Sequence, residues 1–143
     1  ARWHEAIFPT CEELNISYVA FSPMANGFLT GKYTPKTQFE GGQDYRATMP
    51  QYTEEGYEKA KGLLEMLMEL AENKHATMGQ LSLAWMICEK PYIIPIPGSR
   101  KLERIRENFE AGNVILTSEE VSAINERLNT MQFEVFGGHK ATN

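Results

Sequence analysis

Only two segments of the chain have the pattern of β-strands, and residues 22–91 separate them. Residues 16–21 (ISYVAF) are short, β-branched and aromatic, which predicts a buried strand. Residues 92–97 (YIIPIP) are too short for a helix, and their prolines suit a strand whose N–H groups need no partner at those points. Strands joined by a long helical crossover run parallel. Because a two-stranded parallel sheet cannot hold a core alone, the chain is predicted to be part of a larger α/β sheet, unless further strands lie in the loop or the tail.

Helix-capping residues predict three of about five expected helices. Thr53 is predicted to cap one helix, and Thr77 and Thr117 each open another with a capping box. A further helix is expected directly after residues 98–99 (GS). The positions expected to be buried in the three capped helices are Tyr57, Ala60, Leu64, Leu67, Ala71, Leu81, Ala84, Trp85, Cys88, Val121, Ile124 and Leu128.

Proline and glycine define the remaining segments. A first helix is expected from Ile7 to near Asn15, with Pro9 in its first turn, where a missing N–H does little harm. Residues 24–51 are rich in glycine, proline and polar residues and are predicted to form a long loop, a kind that is usually functional or disordered. Residues 131–143 are expected to be irregular.

Composition excludes several classes of protein. The formal net charge of −5 argues against a general nucleic-acid surface, although a local basic patch remains possible. No apolar run approaches the roughly 20 residues of a membrane span, and the start does not resemble a signal peptide. Cys11 and Cys88 form no disulfide framework and no paired metal-ligand spacing. We expect both to be small buried side chains in a reducing compartment, with the cytoplasm as the default location.

The most informative stretch is residues 94–109 (IPIPGSRKLERIRENF), where the second strand leads into a helix. The helix N-terminus is therefore expected at the strand's C-terminal end, and free N–H groups and the helix dipole favour an anion there. A helical wheel places polar and apolar residues on opposite faces: Arg100, Arg104, Glu107 and Asn108 against Leu102, Ile105 and Phe109. Arginine suits phosphate, and the amide and carboxylate suit adenine or ribose. A solvated basic helix face, packed by its apolar side, explains the same pattern.

A second candidate is residues 21–32 (FSPMANGFLTGK), which leave the C-terminal end of the first strand. Ligands bind at that end of the strands in parallel sheets and barrels. Small residues allow close backbone approach, and Lys32 could meet a phosphate. The stretch matches neither GxGxxG nor a P-loop, so by itself it is better explained as an ordinary βα loop.

Together the two stretches resemble the aldo-keto reductase family. Residues 21–32 are similar to the family's seventh-strand loop, and residues 94–109 look like its eighth strand and following helix. Residues 44–46 (DYR) with 49–50 (MP) resemble a loop motif of its longer bacterial members, and the TSEE helix and residues 135–138 (VFGG) fit its C-terminus. The likeness covers nearly the whole chain in order. It implies that residues 1–143 form the C-terminal fragment of a single (β/α)8 TIM-barrel domain, with two parallel strands.

The resemblance implies that the chain binds an extended NAD(P)H. The nicotinamide half would contact Phe21 on the ring, Ser22, Pro23, Met24 and Asn26 along the ribose and pyrophosphate, and Lys32 and Arg46 in the overlying loop. The adenosine half would contact Ser99, Arg100 and Arg104 around a 2′-phosphate, and Glu107 and Asn108 at the adenine. These arginines favour NADPH over NADH. Met24 stands where leucine is usual, a volume-conserving change that we expect to be tolerated.

The family's catalytic groups are not expected in this chain. A tyrosine acid, assisted by a lysine, an aspartate and a histidine, lies on early strands of the family barrel, and no segment here matches those motifs. The histidines and loop tyrosines stand at unrelated positions: His4, His75, His139, Tyr33, Tyr45, Tyr52 and Tyr57. We therefore assign no catalytic residue and no metal ligand.

Three functional hypotheses follow. The first is part of an NADPH-dependent oxidoreductase that reduces aldehydes or ketones to alcohols, with the chain by itself inactive. The second is a non-catalytic nucleotide-binding or regulatory relative. The third is a half-barrel that covers its open strand edges by self-association, or by pairing with the missing N-terminal half. Neither nucleic acid nor membrane is an expected partner.

Overall fold

The computed structural model describes residues 2–40 and 44–131 and contains two strands and five α-helices within them. The elements are α1 (Arg2–Glu13), β1 (Tyr18–Ala20), α2 (Glu54–Asn73), α3 (Met78–Glu89), β2 (Ile93–Pro95), α4 (Leu102–Glu110) and α5 (Ser118–Thr130). Short 3₁₀ helices lie at Ala25–Thr30, Tyr45–Thr48, Pro50–Tyr52 and Ala111–Asn113. The predicted tail motif at residues 135–138 lies outside the described residues.

The two strands are parallel neighbours, as predicted. Val19 is in register with Ile94, and Ala20 with Pro95. The Ile96 N–H extends the pairing by donating to the Ala20 carbonyl at 3.0 Å. Parallel pairing places the C-terminal ends of both strands at the same edge, so the loops that follow them lie side by side.

The two faces of this small sheet have opposite environments. Ala20 and Ile93 are buried with Phe8 of α1 in one apolar cluster. Val19 and Ile94 point the other way and are 55% and 47% exposed. The prediction of a buried strand is therefore wrong for one face of β1. No element among the described residues packs over Val19 and Ile94, although both faces of a parallel sheet are normally buried.

The helix caps form as the sequence predicts. Thr53 accepts a hydrogen bond from the Gly56 N–H, and the capping boxes at Thr77 and Thr117 are complete. The main core lies between α2, α3 and α5. Of the positions expected to be buried in the capped helices, seven are buried: Tyr57, Ala60, Leu67, Ala71, Leu81, Ala84 and Ile124. Leu64, Trp85, Val121 and Leu128 are half-buried.

Three sequence predictions need correction. Pro9 lies inside α1 rather than in its first turn, because the helix already begins at Arg2. Cys88 is exposed and Cys11 only half-buried, so neither is the buried side chain expected. The third helix is apolar around most of its circumference, and periodicity therefore could not identify the face that turns Cys88 outward. The predicted long loop also contains three 3₁₀ helices, at Ala25–Thr30, Tyr45–Thr48 and Pro50–Tyr52.

Helix α4 contacts the rest of the chain through its polar face. Leu102, Ile105 and Phe109 are exposed, Phe109 by 84%. This arrangement is the reverse of a solvated basic helix that packs by its apolar side. Arg104, Glu107 and Asn108 are half-buried, so the polar face is the better covered of the two.

Candidate functional site

A cleft of about 740 Å³ opens where the two strands end. One wall is the segment after β1 and the other is the segment after β2 with the polar face of α4, and the loop before α2 adds Tyr45 and Arg46 to the lining. Eleven of the twelve residues predicted to bind a cofactor line this cleft: Ser22, Pro23, Met24, Asn26, Lys32, Arg46, Ser99, Arg100, Arg104, Glu107 and Asn108. Their binding role stays a prediction, but the fold brings them to one place.

Phe21 is the predicted residue that does not line the cleft. Its side chain is 67% exposed. It comes directly after β1, where it continues the alternation that turns Val19 to the open face of the sheet. If Phe21 stacks on a nicotinamide ring, it would therefore do so at the edge of the cleft, on the exposed face of the sheet.

Sequence reasoning missed several residues of the lining. These are Gly27, Thr30, Tyr33, Tyr45, Ile96, Pro97, Gly98 and Lys101. Tyr33 and Tyr45 lie in the long loop, where no periodicity identifies which side chains turn inward. Lys101 could have been found, because it directly follows Arg100 at the start of the basic helix.

The cleft is strongly basic although the chain is acidic. Its charged lining residues are Lys32, Arg46, Arg100, Lys101, Arg104 and Glu107, five positive and one negative. The N-cap of α4, Lys101, supplies no side-chain hydrogen bond to the first turn, so N–H groups there are not capped by it. Positive side chains and the positive end of a helix dipole both favour a phosphate.

The turn after β1 has an unusual backbone. Ser22, Ala25 and Asn26 have φ values of 48°, 48° and 59°. Residues other than glycine rarely adopt this conformation, so it persists only where the surroundings impose it. One such constraint is a buried hydrogen bond from Ser82 Oγ of α3 to the Pro23 carbonyl, at 2.8 Å. This bond ties the turn, whose residues line the cleft, to a core helix.

Arg46 is held in a cage of aromatic and acidic side chains. Its Nε donates to both Asp44 carboxylate oxygens at 2.9 and 3.1 Å, and its Nη1 donates to the Tyr33 hydroxyl at 2.6 Å. The guanidinium carbon lies 4.8 Å from the Tyr33 ring centroid and 4.7 Å from that of Phe39. Hydrogen bonds from Arg46 lower the pKa of the Asp44 carboxyl, and the same pairing raises the pKa of Arg46. The arginine is therefore positioned before any ligand arrives, with part of its charge offset by Asp44.

Two tyrosines fasten this loop to Asn26. Tyr45 donates to Asn26 Oδ1 at 2.8 Å, and Tyr52 donates to the Asn26 carbonyl at 2.9 Å. Burial raises the pKa of the Tyr52 hydroxyl, which keeps it a donor. Asn26 Nδ2 is buried and has no hydrogen-bond partner among the described residues. A buried amide donor without a partner is suited to a ligand oxygen.

The described residues contain no cluster of three or more histidine, cysteine or acidic side chains that could hold a metal ion. No helix in the described ranges is both long and apolar enough to cross a bilayer.

Comparison with known proteins identifies relatives for nearly the whole chain. A family model described as the aldo/keto reductase family matches residues 2–129. An aldo-keto reductase of Strobilurus tenacellus is 37% identical over 83% of the chain, and one of Schizosaccharomyces pombe, named with NADP(+), is 37% identical over 84%. An aldo-keto reductase of Gibberella moniliformis is 30% identical over 90% of the chain. The chain spans 35–39% of the length of these relatives.

Solved structures show the same fold. A glycerol dehydrogenase from Gluconobacter oxydans superimposes with a TM-score of 0.80 and 23% identity, covering 96% of the chain and 42% of that protein. A thermostable aldo-keto reductase with the inhibitor epalrestat gives a TM-score of 0.59 and 22% identity, covering 89% of the chain and 36% of its own length. The predicted fold class, an α/β chain forming part of a barrel, is confirmed.

Proposed function

Because the chain belongs to the aldo/keto reductase family, we propose that it supplies the cofactor-binding, C-terminal part of an NADPH-dependent reductase of aldehydes or ketones. One observation carries the proposal: the basic cleft in which eleven of the twelve expected cofactor residues meet. In the intact protein the nicotinamide would supply the hydride. This chain would hold and orient the dinucleotide.

The distribution of polar groups supports an assignment of the cofactor's two ends. Arg100 and Arg104 lie at the α4 wall, where two guanidinium groups can bind the 2′-phosphate that distinguishes NADPH from NADH. Asn26 and Lys32 lie on the opposite wall, where a buried amide donor and a cation suit the pyrophosphate. We propose that Arg46, preset by Asp44, extends over the same group.

The open face of the sheet supports a place within a larger barrel. Val19 and Ile94 are exposed on one face, and Ile96 beyond them is exposed as well. In a closed (β/α)8 barrel such residues form the packed interior. We propose that further strands of the same protein cover this face and carry the proton donor, so that this chain alone has no reductase activity. Turnover of a generic aldehyde with NADPH by the isolated chain would contradict this part of the proposal.

Replacement of Arg104 tests the cofactor assignment. In the intact protein, Arg104→Gln is expected to weaken NADPH binding about tenfold or more, because a charge-assisted contact to the 2′-phosphate is lost. NADH, which lacks that phosphate, should bind with nearly unchanged affinity. Arg106→Gln is the matched control, because Arg106 lies on the same helix but outside the cleft lining. Dissociation constants from quenching of intrinsic fluorescence measure both cofactors. Equal effects of Arg104→Gln on NADPH and NADH would refute the 2′-phosphate assignment.

A self-associated half-barrel is the second candidate, and the exposed apolar sheet face favours it. In that case a second copy, rather than further strands of one protein, would cover Val19 and Ile94. Light scattering of the 143-residue chain distinguishes the two: a stable dimer would support self-association, and a monomer would contradict it.

A further inference from the structure

Burial does not explain how α4 keeps its place beside the cleft. None of the side chains of α4 is buried, and its apolar residues are largely exposed, with Ile105 and Phe109 bordering an open groove beside Leu83 and Ile87 of α3. The helix nevertheless carries Arg104 and Asn108, two of the residues that line the α4 wall. Apolar packing therefore contributes little to the position of this wall, and polar contacts within the described part of the chain are needed to hold it.

Two hydrogen bonds from α3 provide such a contact, and both end on Glu107. The Thr77 hydroxyl donates to Glu107 Oε1 at 2.8 Å. The Gln80 side-chain amide donates through Nε2 to the Glu107 carbonyl oxygen at 3.1 Å. One bond holds the side chain of Glu107 and the other holds its backbone, so together they restrict both rotation and translation of the helix turn.

Thr77 and Gln80 are also the two members of the α3 capping box. The Thr77 hydroxyl accepts from the Gln80 N–H at 3.1 Å, and Gln80 Oε1 accepts from the Thr77 N–H at 2.9 Å. Each side chain therefore accepts a bond within α3 and donates a bond to α4. A hydroxyl and a carboxamide can do both, because each has a donor and an acceptor.

The capping box of α5 shows what this arrangement adds. There the partner of Thr117 is Glu120, which accepts from the Thr117 N–H and pairs with Lys74 at 2.8 Å. An ionised glutamate has no hydrogen-bond donor, so it can cap its own helix but cannot donate to a carbonyl oxygen of a neighbouring helix as Gln80 does. Gln80 therefore both caps α3 and donates a hydrogen bond to α4, and capping alone does not require the second bond.

We propose that Thr77 and Gln80 form a clasp on Glu107 and act as positioning residues, which hold Arg104 and Asn108 at the adenosine end of the cleft. The inference rests on the proposed cofactor function and extends it to two residues outside the cleft lining. Loss of the clasp lets the turn of α4 shift. This shift is expected to weaken binding of the adenosine half of the cofactor and to leave the rate of the chemical step unchanged.

A matched pair of substitutions in the intact protein tests the clasp. Thr77→Ala and Thr117→Ala each remove one capping hydroxyl, so both are expected to lower the melting temperature, Thr77→Ala at least as much as Thr117→Ala. Only Thr77→Ala also removes the donor to Glu107. It should weaken binding of 2′,5′-ADP, a mimic of the adenosine end, about five- to tenfold, whereas Thr117→Ala should not. Thr77→Ser keeps both bonds and should restore affinity. If the alanine variant does not fold, Thr77→Gly replaces it in this test, because glycine is well tolerated at an N-cap and also lacks the donor to Glu107.

The readouts separate the possible outcomes. The clasp predicts a raised KM for NADPH at constant kcat in Thr77→Ala, with binding of nicotinamide mononucleotide unaffected. If the unaltered protein binds no 2′,5′-ADP, the proposed cofactor is wrong. If it binds 2′,5′-ADP and the Thr77→Ala and Thr117→Ala variants bind it equally well, the cofactor proposal survives and the clasp is refuted.

Discussion

The hydrogen bond between Ser82 and the Pro23 carbonyl offers a sharp test of how the core supports the cleft. Ser82 is 2% exposed in α3 and Pro23 is buried, and the Oγ–O distance is 2.8 Å. The substitution Ser82→Ala removes one oxygen and creates almost no cavity. Its effect therefore reports on the hydrogen bond rather than on packing.

The expected magnitude follows from two opposing effects. A buried carbonyl that loses its partner costs about 1–3 kcal/mol. Alanine in place of serine in a helix returns about 0.5 kcal/mol. We therefore expect Ser82→Ala to lower the free energy of unfolding by about 0.5–2.5 kcal/mol. Because Pro23 lies in the cleft lining, dinucleotide affinity should fall as well.

Urea denaturation of the intact protein, followed by circular dichroism, measures this change. Ser122→Ala is the control, because Ser122 is exposed on α5 and gains the same helix propensity without losing a buried bond. The control should be unchanged or slightly more stable. If the urea midpoint of Ser82→Ala equals that of Ser122→Ala, the bond does not anchor the turn and the reasoning fails.

Two further predictions concern α2 and the loop before it. A Cβ at Gly56 would meet the Pro50 carbonyl and adjoining backbone, whereas one at Gly62 would meet only the end of an arginine side chain. Gly56→Ala should therefore lose about 1–2 kcal/mol of stability while Gly62→Ala gains up to about 1 kcal/mol, and equal denaturation midpoints would contradict this. Hydrogen bonds from Arg46 lower the pKa of Asp44, so its contribution to stability is complete above the ordinary aspartate pKa of about 3.9 and is lost as the pH falls below it. Between pH 6 and pH 3 the urea midpoint should fall more in the unaltered protein than in Asp44→Asn, and equal falls would refute the role of the pair.

Features that depend on neighbouring residues could be predicted from the sequence. The caps at Thr53, Thr77 and Thr117 formed as expected, because a cap is a bond between residues three apart. The parallel strands followed from short apolar segments and a long crossover between them. Helical periodicity placed Arg104 and Asn108 on one face of α4, although only the structure shows that this face lines the cleft.

Other features depended on contacts between residues far apart in the chain. No local pattern indicates that Arg46 is caged by Tyr33 and Phe39, that Tyr45 reaches Asn26, or that Cys88 faces outward. These outcomes depend on which surfaces the fold covers and which side chains it brings within bonding distance. By itself the sequence determined the elements and the chemistry at the strand ends, since both are local. The tertiary structure decided which side chains meet, because burial and hydrogen bonding across the fold are set only when distant segments pack together.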